Sequence, residues 1–364
     1  MKIAPNHEKL QYCGRIDFDQ PLAPVMVYAG SFVKIRFVGS RIRVNLANHR
    51  AYWSNYMGVL VDGEQSKILL ADSNEEKSYV LAENLPVKEH EVMLFKRMDA
   101  CHYVTFFGFE VDDDARILDC EKLPERRIEV FGDSVSCGEV AEALDFVGKP
   151  DPKHDGEYSN SWYSYSWMTA RKLHARVHIT SQGGIALMDG TGWFCMPDTL
   201  GVESCFDKIT YNPQCGLPIK KWEFSGYQPH VVVLAFGQND SNPLDYMESD
   251  YEGEQARLWR KRYRAFVEKL MELYPKAHFI LTTTLLCHGA SWDQAIDDVC
   301  KSMNHPRVHH LLYQRNGSAT PGHLRIPEAE EMAEELAAYM EGLGDIWNEK
   351  NESWGECNEI ECCN

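Results

Sequence analysis

No stretch of this sequence is apolar for long enough to cross a bilayer. The strongest run, Val231 to Phe236, is far shorter than the roughly 20 residues a spanning helix needs. The opening segment MKIAPNHEKLQYCGR carries no apolar stretch behind its lysine, so the expectation is a cytoplasmic protein. Positive charge is also scarce: 37 Lys and Arg stand against 55 Asp and Glu, a net charge of −18. Such a surface repels phosphate backbones and anionic headgroups, which argues against nucleic acid or membrane partners. Low-complexity tracts and internal repeats are absent, and with 44% apolar and 25% charged residues the composition is that of an ordinary globular protein. Cysteine is plentiful, at 12, yet scattered through apolar and mixed segments, which favours reduced and mostly buried thiols. The one local cluster, Cys357, Cys362 and Cys363, has a spacing that matches no common zinc pattern.

What is present falls into two grammars. At 364 residues the chain has room for two domains of roughly 150 residues each. Up to about residue 120 the apolar residues have period two: Val33, Ile35 and Phe37, then Ile42, Val44 and Leu46, Met57, Val59 and Val61, Val92 and Leu94, Val104 and Phe106. Short alternating strands divided by turn signals predict an antiparallel β-sandwich of jelly-roll type over residues 1–125. From residue 126 to 345 buried strands at 128–131, 176–181, 231–236, 278–286 and 308–313 alternate with amphipathic helices at 162–175, 255–274, 292–303 and 327–340. That order predicts a five-stranded parallel sheet covered on both faces, an α/β/α domain that binds ligands beyond the carboxyl ends of its strands. Residues 346–364 read as a tail.

Three signals stand at those carboxyl ends. Gly132-Asp133-Ser134 follows the first strand, where a serine after a tight turn can present a nucleophilic hydroxyl and its own N–H to an oxyanion; a simple helix N-cap is the competing reading. Gly183-Gly184 and Gly237-Gln238-Asn239-Asp240 follow two others, where a backbone N–H and an Asn amide can donate to developing charge. His323, in the loop before the last helix, is the best-placed base. His309 and His310 suggest a metal, but no third ligand accompanies them.

As a set, Gly132-Asp133-Ser134, Gly184, Gly237-x-Asn239-Asp240 and the late His323 resemble the blocks of the SGNH, or GDSL-type, hydrolase superfamily. In the N-terminal half Cys13-Gly14-Arg15, Ile35 to Ser40, Val59 to Gly63 and His90 to Asp99 resemble carbohydrate esterase family 2, whose members join a jelly roll to an SGNH domain. The resemblance implies Ser134 as nucleophile, His323 as general base, and oxyanion donors from Ser134, Gly184 (with Gly183 as the alternative) and Asn239. Asp133 and Asp240 become loop supports. The implied activity is removal of O-acetyl groups from plant polysaccharides such as xylan and glucomannan, with an acetylated oligosaccharide as partner and no metal or organic cofactor. Other SGNH proteins are lipid or thioester hydrolases, and a non-catalytic glycan-binding protein is a further alternative.

One position departs from the pattern. Superfamily members usually carry an Asp three residues before the His, and here Thr320 stands there. The absence of that Asp leaves a Ser–His dyad or a substitute orienter; some members of the resembled family also lack this Asp and orient the His by a backbone carbonyl, which the resemblance implies for His323 too, with Asp293 a more remote candidate. The long 186–222 connection carries Trp193, Phe194, Phe206, Tyr211 and Trp222, and Trp193 and Trp222 are expected to stack on sugar rings.

Overall fold

The computed structural model describes residues 1–348; Cys357, Cys362 and Cys363 lie outside the described residues. In the N-terminal part, alternation sends every second side chain inward. Along Phe32–Gly39, for example, Val33, Ile35 and Phe37 are buried while Lys34, Arg36 and Val38 are half-buried. Two sheets of six antiparallel strands result. One runs in the order Ile16–Asp17, Val25–Met26, His102–Val111, Ile42–Arg50, Lys77–Ala82, with Lys2–Ile3 also on His102–Val111. The other runs Arg116–Leu118, Phe32–Gly39, Lys88–Lys96, Tyr56–Val61, Glu64–Leu69, with Gln11–Cys13 also on Phe32–Gly39. Their facing residues, among them Phe37, Leu46, Val59, Leu94, Val104 and Phe106, close one dry core.

The second part has a five-stranded parallel sheet in the order Ala175–Ser181, Arg126–Gly132, Val231–Ala235, His278–Thr282, Val308–His310. Here successive residues bury against different helices, which is why these strands read as continuous apolar runs. Val232, Leu234, Phe279 and Leu281 meet Trp259, Tyr263 and Phe266 of the helix Glu254–Leu273 and Trp292 of the helix Ala290–Met303. Val231, Val233 and Ile280 meet Trp167 of the helix Tyr165–Lys172 and Met332 and Leu336 of the helix Ile326–Gly342. Three expected boundaries shrink. The strands expected to reach Leu286 and Tyr313 stop at Thr282 and His310, and Trp162 lies in a separate 3₁₀ turn, Ser161–Tyr163. The helix begins only after Ser164, whose side chain accepts from the Trp167 N–H and so caps it.

The two parts are locked together by Arg15. Its guanidinium leaves the start of the sandwich and pairs with Glu129 in the central parallel strand at 2.8 Å, both side chains wholly buried. The aromatic rings of Tyr28, Phe131, Trp222 and Phe224 surround it at 5.1–5.9 Å, and Tyr274 and Thr180 donate to the Glu129 carboxylate. Among the described residues the cysteines are free thiols, and no helix is long and apolar enough to cross a membrane.

Candidate active site

The strand Arg126–Gly132 ends on a glycine so crowded that a Cβ would meet Ser136 Oγ at 2.2 Å. The chain turns there directly into the short helix Ser134–Cys137, which Asp133 caps by accepting from the Val135 N–H at 3.0 Å. Ser134 is thus delivered to the rim of a cleft of about 460 Å³, a size suited to a sugar-sized ligand. The α/β domain lines it with Ser134, Glu139, Gly183, Gly184, Asn239 and His323, the insertion with Trp193 to Met196, and the sandwich with Tyr52, Trp53 and Asp99.

His323 Nε2 lies 2.7 Å from Ser134 Oγ. On the far side of the ring, Nδ1 lies 2.7 Å from Asp151 Oδ2. Asp151 is anchored in turn, accepting from the His323 N–H at 3.0 Å and pairing with Arg325 at 2.9 Å. Burial opposes its ionisation, but hydrogen bonds from His154 and His323 outweigh that and hold its carboxyl well below the usual carboxylate range. His323 is raised above the ordinary histidine value: burial works against the cation, and the nearby Glu139 and Asp151 carboxylates overcome it.

The expected dyad is therefore corrected to a serine, a histidine and a carboxylate in hydrogen-bond sequence. Neither a backbone carbonyl nor Asp293 orients His323. Asp293 lies instead beside His288, at 3.1 Å, and Thr283. Thr320 turns away as well, donating to Glu328 and accepting from the Gly148 N–H. The reason is topological. The segment 144–160, after the Ser134–Cys137 helix, runs alongside the last loop, and Asp151, set between Pro150 and Pro152, puts its carboxylate on His323 Nδ1 and the His323 N–H.

The three expected oxyanion donors differ in what they already bond. Gly183 donates its N–H to Asp99 at 2.6 Å, so it is occupied. Gly184 lines the cleft with φ +73°, a conformation that suits glycine, and Trp193 Cβ would stand 3.0 Å from any Cβ added there. Asn239 gives one amide hydrogen to Asp133 at 3.0 Å, which fixes the amide and leaves its other hydrogen free. Asp133 also accepts from Gln238 at 2.8 Å, and burial pushes its carboxyl up to about 7. Asp240, raised by burial to about 6, accepts from the Leu187 N–H and the Trp259 indole. Both acids tie loops together, as expected.

Trp193 is 58% exposed on the cleft wall. Trp222 is elsewhere: it is half-buried over Arg15 and beside His178, because the 186–222 insertion packs its second half onto the sheet through the Lys208–Thr210 and Lys220–Lys221 hairpin. Trp53 was not singled out in the sequence. It stands in the cleft with φ +55°, a strained conformation for a bulky residue.

A family profile described as "Carbohydrate esterase 2 N-terminal" matches residues 12–120. The cellulase/esterase CelE of Acetivibrio thermocellus is 27% identical over 90% of this chain, which spans only 39% of that relative's length. An acetylxylan esterase / glucomannan deacetylase of Cellvibrio japonicus is 24% identical over 94% of the chain and 91% of its own length. Among solved structures, a family two carbohydrate esterase from Clostridium thermocellum in complex with cellohexaose superposes with a TM-score of 0.76 at 25% identity, covering 92% of this chain and 98% of that one. Residues 12–120 thus match the N-terminal domain of carbohydrate esterase family 2, and the chain resembles esterases of that family over nearly its whole length.

The site residues missed in the sequence are Asp99, which lines the cleft and binds Gly183, and Glu139, Asp151 and His154, which surround His323. Only the Pro-Asp-Pro setting of Asp151 offered a local signal. Glu139, His154 and His323 bring potential ligand atoms within 4.8 Å of one another. Each ring nitrogen of the two histidines, however, already faces a carboxylate or Ser134, so a bound cation would have to displace these hydrogen bonds. His309 and His310 pair instead with His278 and Asp297.

Proposed function

We propose that this chain is a serine esterase that removes O-acetyl groups from acetylated plant hemicellulose oligosaccharides, such as fragments of xylan and glucomannan, by way of an acyl-enzyme. The 2.7 Å approach of Ser134 Oγ to a histidine backed by an ionised Asp151 carries the reading. Ser134 Oγ attacks the acetyl carbonyl as His323 Nε2 takes its proton. Asp151 holds the ring so that Nδ1 keeps its hydrogen and supports the imidazolium while it exists. The Ser134 and Gly184 N–H groups and the free hydrogen of the Asn239 amide stabilise the oxyanion. Collapse of the tetrahedral species expels the sugar hydroxyl, to which His323 returns the proton. Water, activated by the same ring, then releases acetate and regenerates Ser134. The exposed face of Trp193 supports a sugar ring as the leaving group, and the name of the Cellvibrio japonicus relative supports the substrate class.

Acetate release from acetylated xylan and glucomannan oligosaccharides, followed by proton NMR for wild type and Ser134→Ala, tests this directly. Wild type is expected to release acetate, and the variant to be at least ~10³-fold slower. If wild type binds the oligosaccharides but leaves every acetyl signal in place, the chain is a glycan-binding protein and the esterase reading is lost.

A further inference from the structure

We propose that His154 is a positioning residue of this site: an imidazolium clamped between Glu139 and Asp151 that fixes the Asp151 carboxylate on His323 and offsets the negative charge the two acids place on the base. The inference rests on the esterase reading of Ser134 and His323 and concerns how that pair is tuned. His154 Nδ1 lies 2.7 Å from Glu139 Oε1, and Nε2 lies 3.0 Å from Asp151 Oδ2. That same Asp151 oxygen accepts from His323 Nδ1 at 2.7 Å. An ionised carboxylate only accepts, so a ring with a carboxylate at each nitrogen is held in the form that donates from both. Its hydrogen bonds to Asp151 and then to Glu139 raise His154 to about 10.

The neighbourhood shows why a fixed cation belongs here. Glu139 is buried, and its second oxygen lies 3.8 Å from His323 Nε2, the atom that must accept the Ser134 proton. Two carboxylates so close to one imidazole favour its protonated form, and a protonated His323 cannot act as a base. The His154 ring, with its centroid 5.3 Å from that of His323, supplies one opposing charge, and Arg325, paired with the other oxygen of Asp151, supplies a second. The titratable groups facing the His154 ring are Glu139, Asp151 and His323, while Lys153, Asp155 and Tyr158 line the small cleft behind it. From the sandwich side, Trp53 stacks obliquely on the ring at 5.6 Å, and the Asp99 carboxylate lies on the far side of Glu139 across Gly183.

The test is the pH dependence of kcat/KM for 4-nitrophenyl acetate, measured on wild type, His154→Gln and His154→Lys. Loss of the cation is expected to move the acid limb of His154→Gln upward by about one pH unit and to lower plateau kcat by ~10-fold, whereas His154→Lys returns the limb to within ~0.3 unit of wild type. An unmoved limb in His154→Gln, or one moved equally in both variants, overturns the proposal. Histidine ¹⁵N spectra of the wild-type chain give a readout that needs neither turnover nor a variant that folds. Here His154 is expected to remain an imidazolium at pH 8, and a neutral ring at that pH overturns the proposal. An inactive wild type whose His154 is nonetheless charged would undo the esterase reading and leave the clamp standing.

Discussion

In the proposed reaction His323 must be basic enough to take a proton from Ser134 and neutral enough to start without one, and its neighbours bear on that conflict. Asp151 does most of the orienting. It receives both the Nδ1–H and the backbone N–H of His323, so one carboxylate sets the tautomer and the position of the loop together. Asp151→Asn keeps the shape but presents an amide that can donate where a pure acceptor is needed. By analogy with the loss of a triad carboxylate, kcat is expected to fall ~10³- to 10⁴-fold with little change in thermal stability. Thr320→Ala, at the position where the superfamily's Asp would stand, is expected to keep kcat within ~3-fold, since its hydroxyl serves Glu328 and Gly148. Steady-state kinetics on an aryl acetate separates the two, and an equal loss in both would return the orienting role to residue 320.

At the scale of the element, the insertion and the loops after the strands divide the labour. The first half of the 186–222 segment presents Trp193 to the cleft, and the second half buries Trp222 over Arg15. Trp193→Ala is expected to raise KM for an acetylated oligosaccharide about 10-fold, in line with the loss of one aromatic platform, while kcat/KM for 4-nitrophenyl acetate stays within 2-fold. An equal effect on both substrates would mean that Trp193 shapes the catalytic loops and does not bind sugar. The loop after Val231–Ala235 is held by Asp240, whose second oxygen is buried and unbonded. Its folded pKa of about 6 lies above the ordinary 3.8, so the folded protein holds this proton more tightly than the unfolded chain does. Stability from the protonated form is present below about pH 4 and lost as pH rises through about 6. Asp240→Asn carries no such proton. The stability of the variant relative to wild type is therefore expected to climb by ~1–3 kcal/mol between pH 4 and pH 7, as read by denaturant melts. A flat difference would place the titration elsewhere.

For the whole molecule, the sandwich is part of the site. Tyr52, Trp53 and Asp99 come from its loops, and Asp99 binds Gly183 and Gln182 of the α/β part, so the backbone next to the proposed Gly184 donor is held from the sandwich. The Arg15–Glu129 pair holds the two units in that register. Removing one partner leaves an unpaired buried charge. Arg15→Met is thus expected to cost ~3–5 kcal/mol, and Arg15→Met with Glu129→Leu clearly less. Chemical denaturation checks both, and a single variant as stable as wild type would show that the pair does not hold the domains.

The sequence by itself determined the class of each half, because period-two alternation and continuous apolar strands between amphipathic helices answer to local geometry and to solvent. It also located Ser134, His323, Gly184 and Asn239 as candidates, since each stands just beyond a strand or before a helix, where this architecture opens its cleft. Only the tertiary structure decided what faces His323. Asp151 is 172 positions away in the chain and lies in a loop with no periodicity, so its direction depends on how that loop packs. The same holds for Trp193 and Trp222, two aromatics in one segment that no local pattern distinguishes, and for Asp99, whose partner Gly183 belongs to the other domain. Local pattern sets which elements form, whereas some of their ends and the contacts between loops distant in sequence arise only from the packing of those elements.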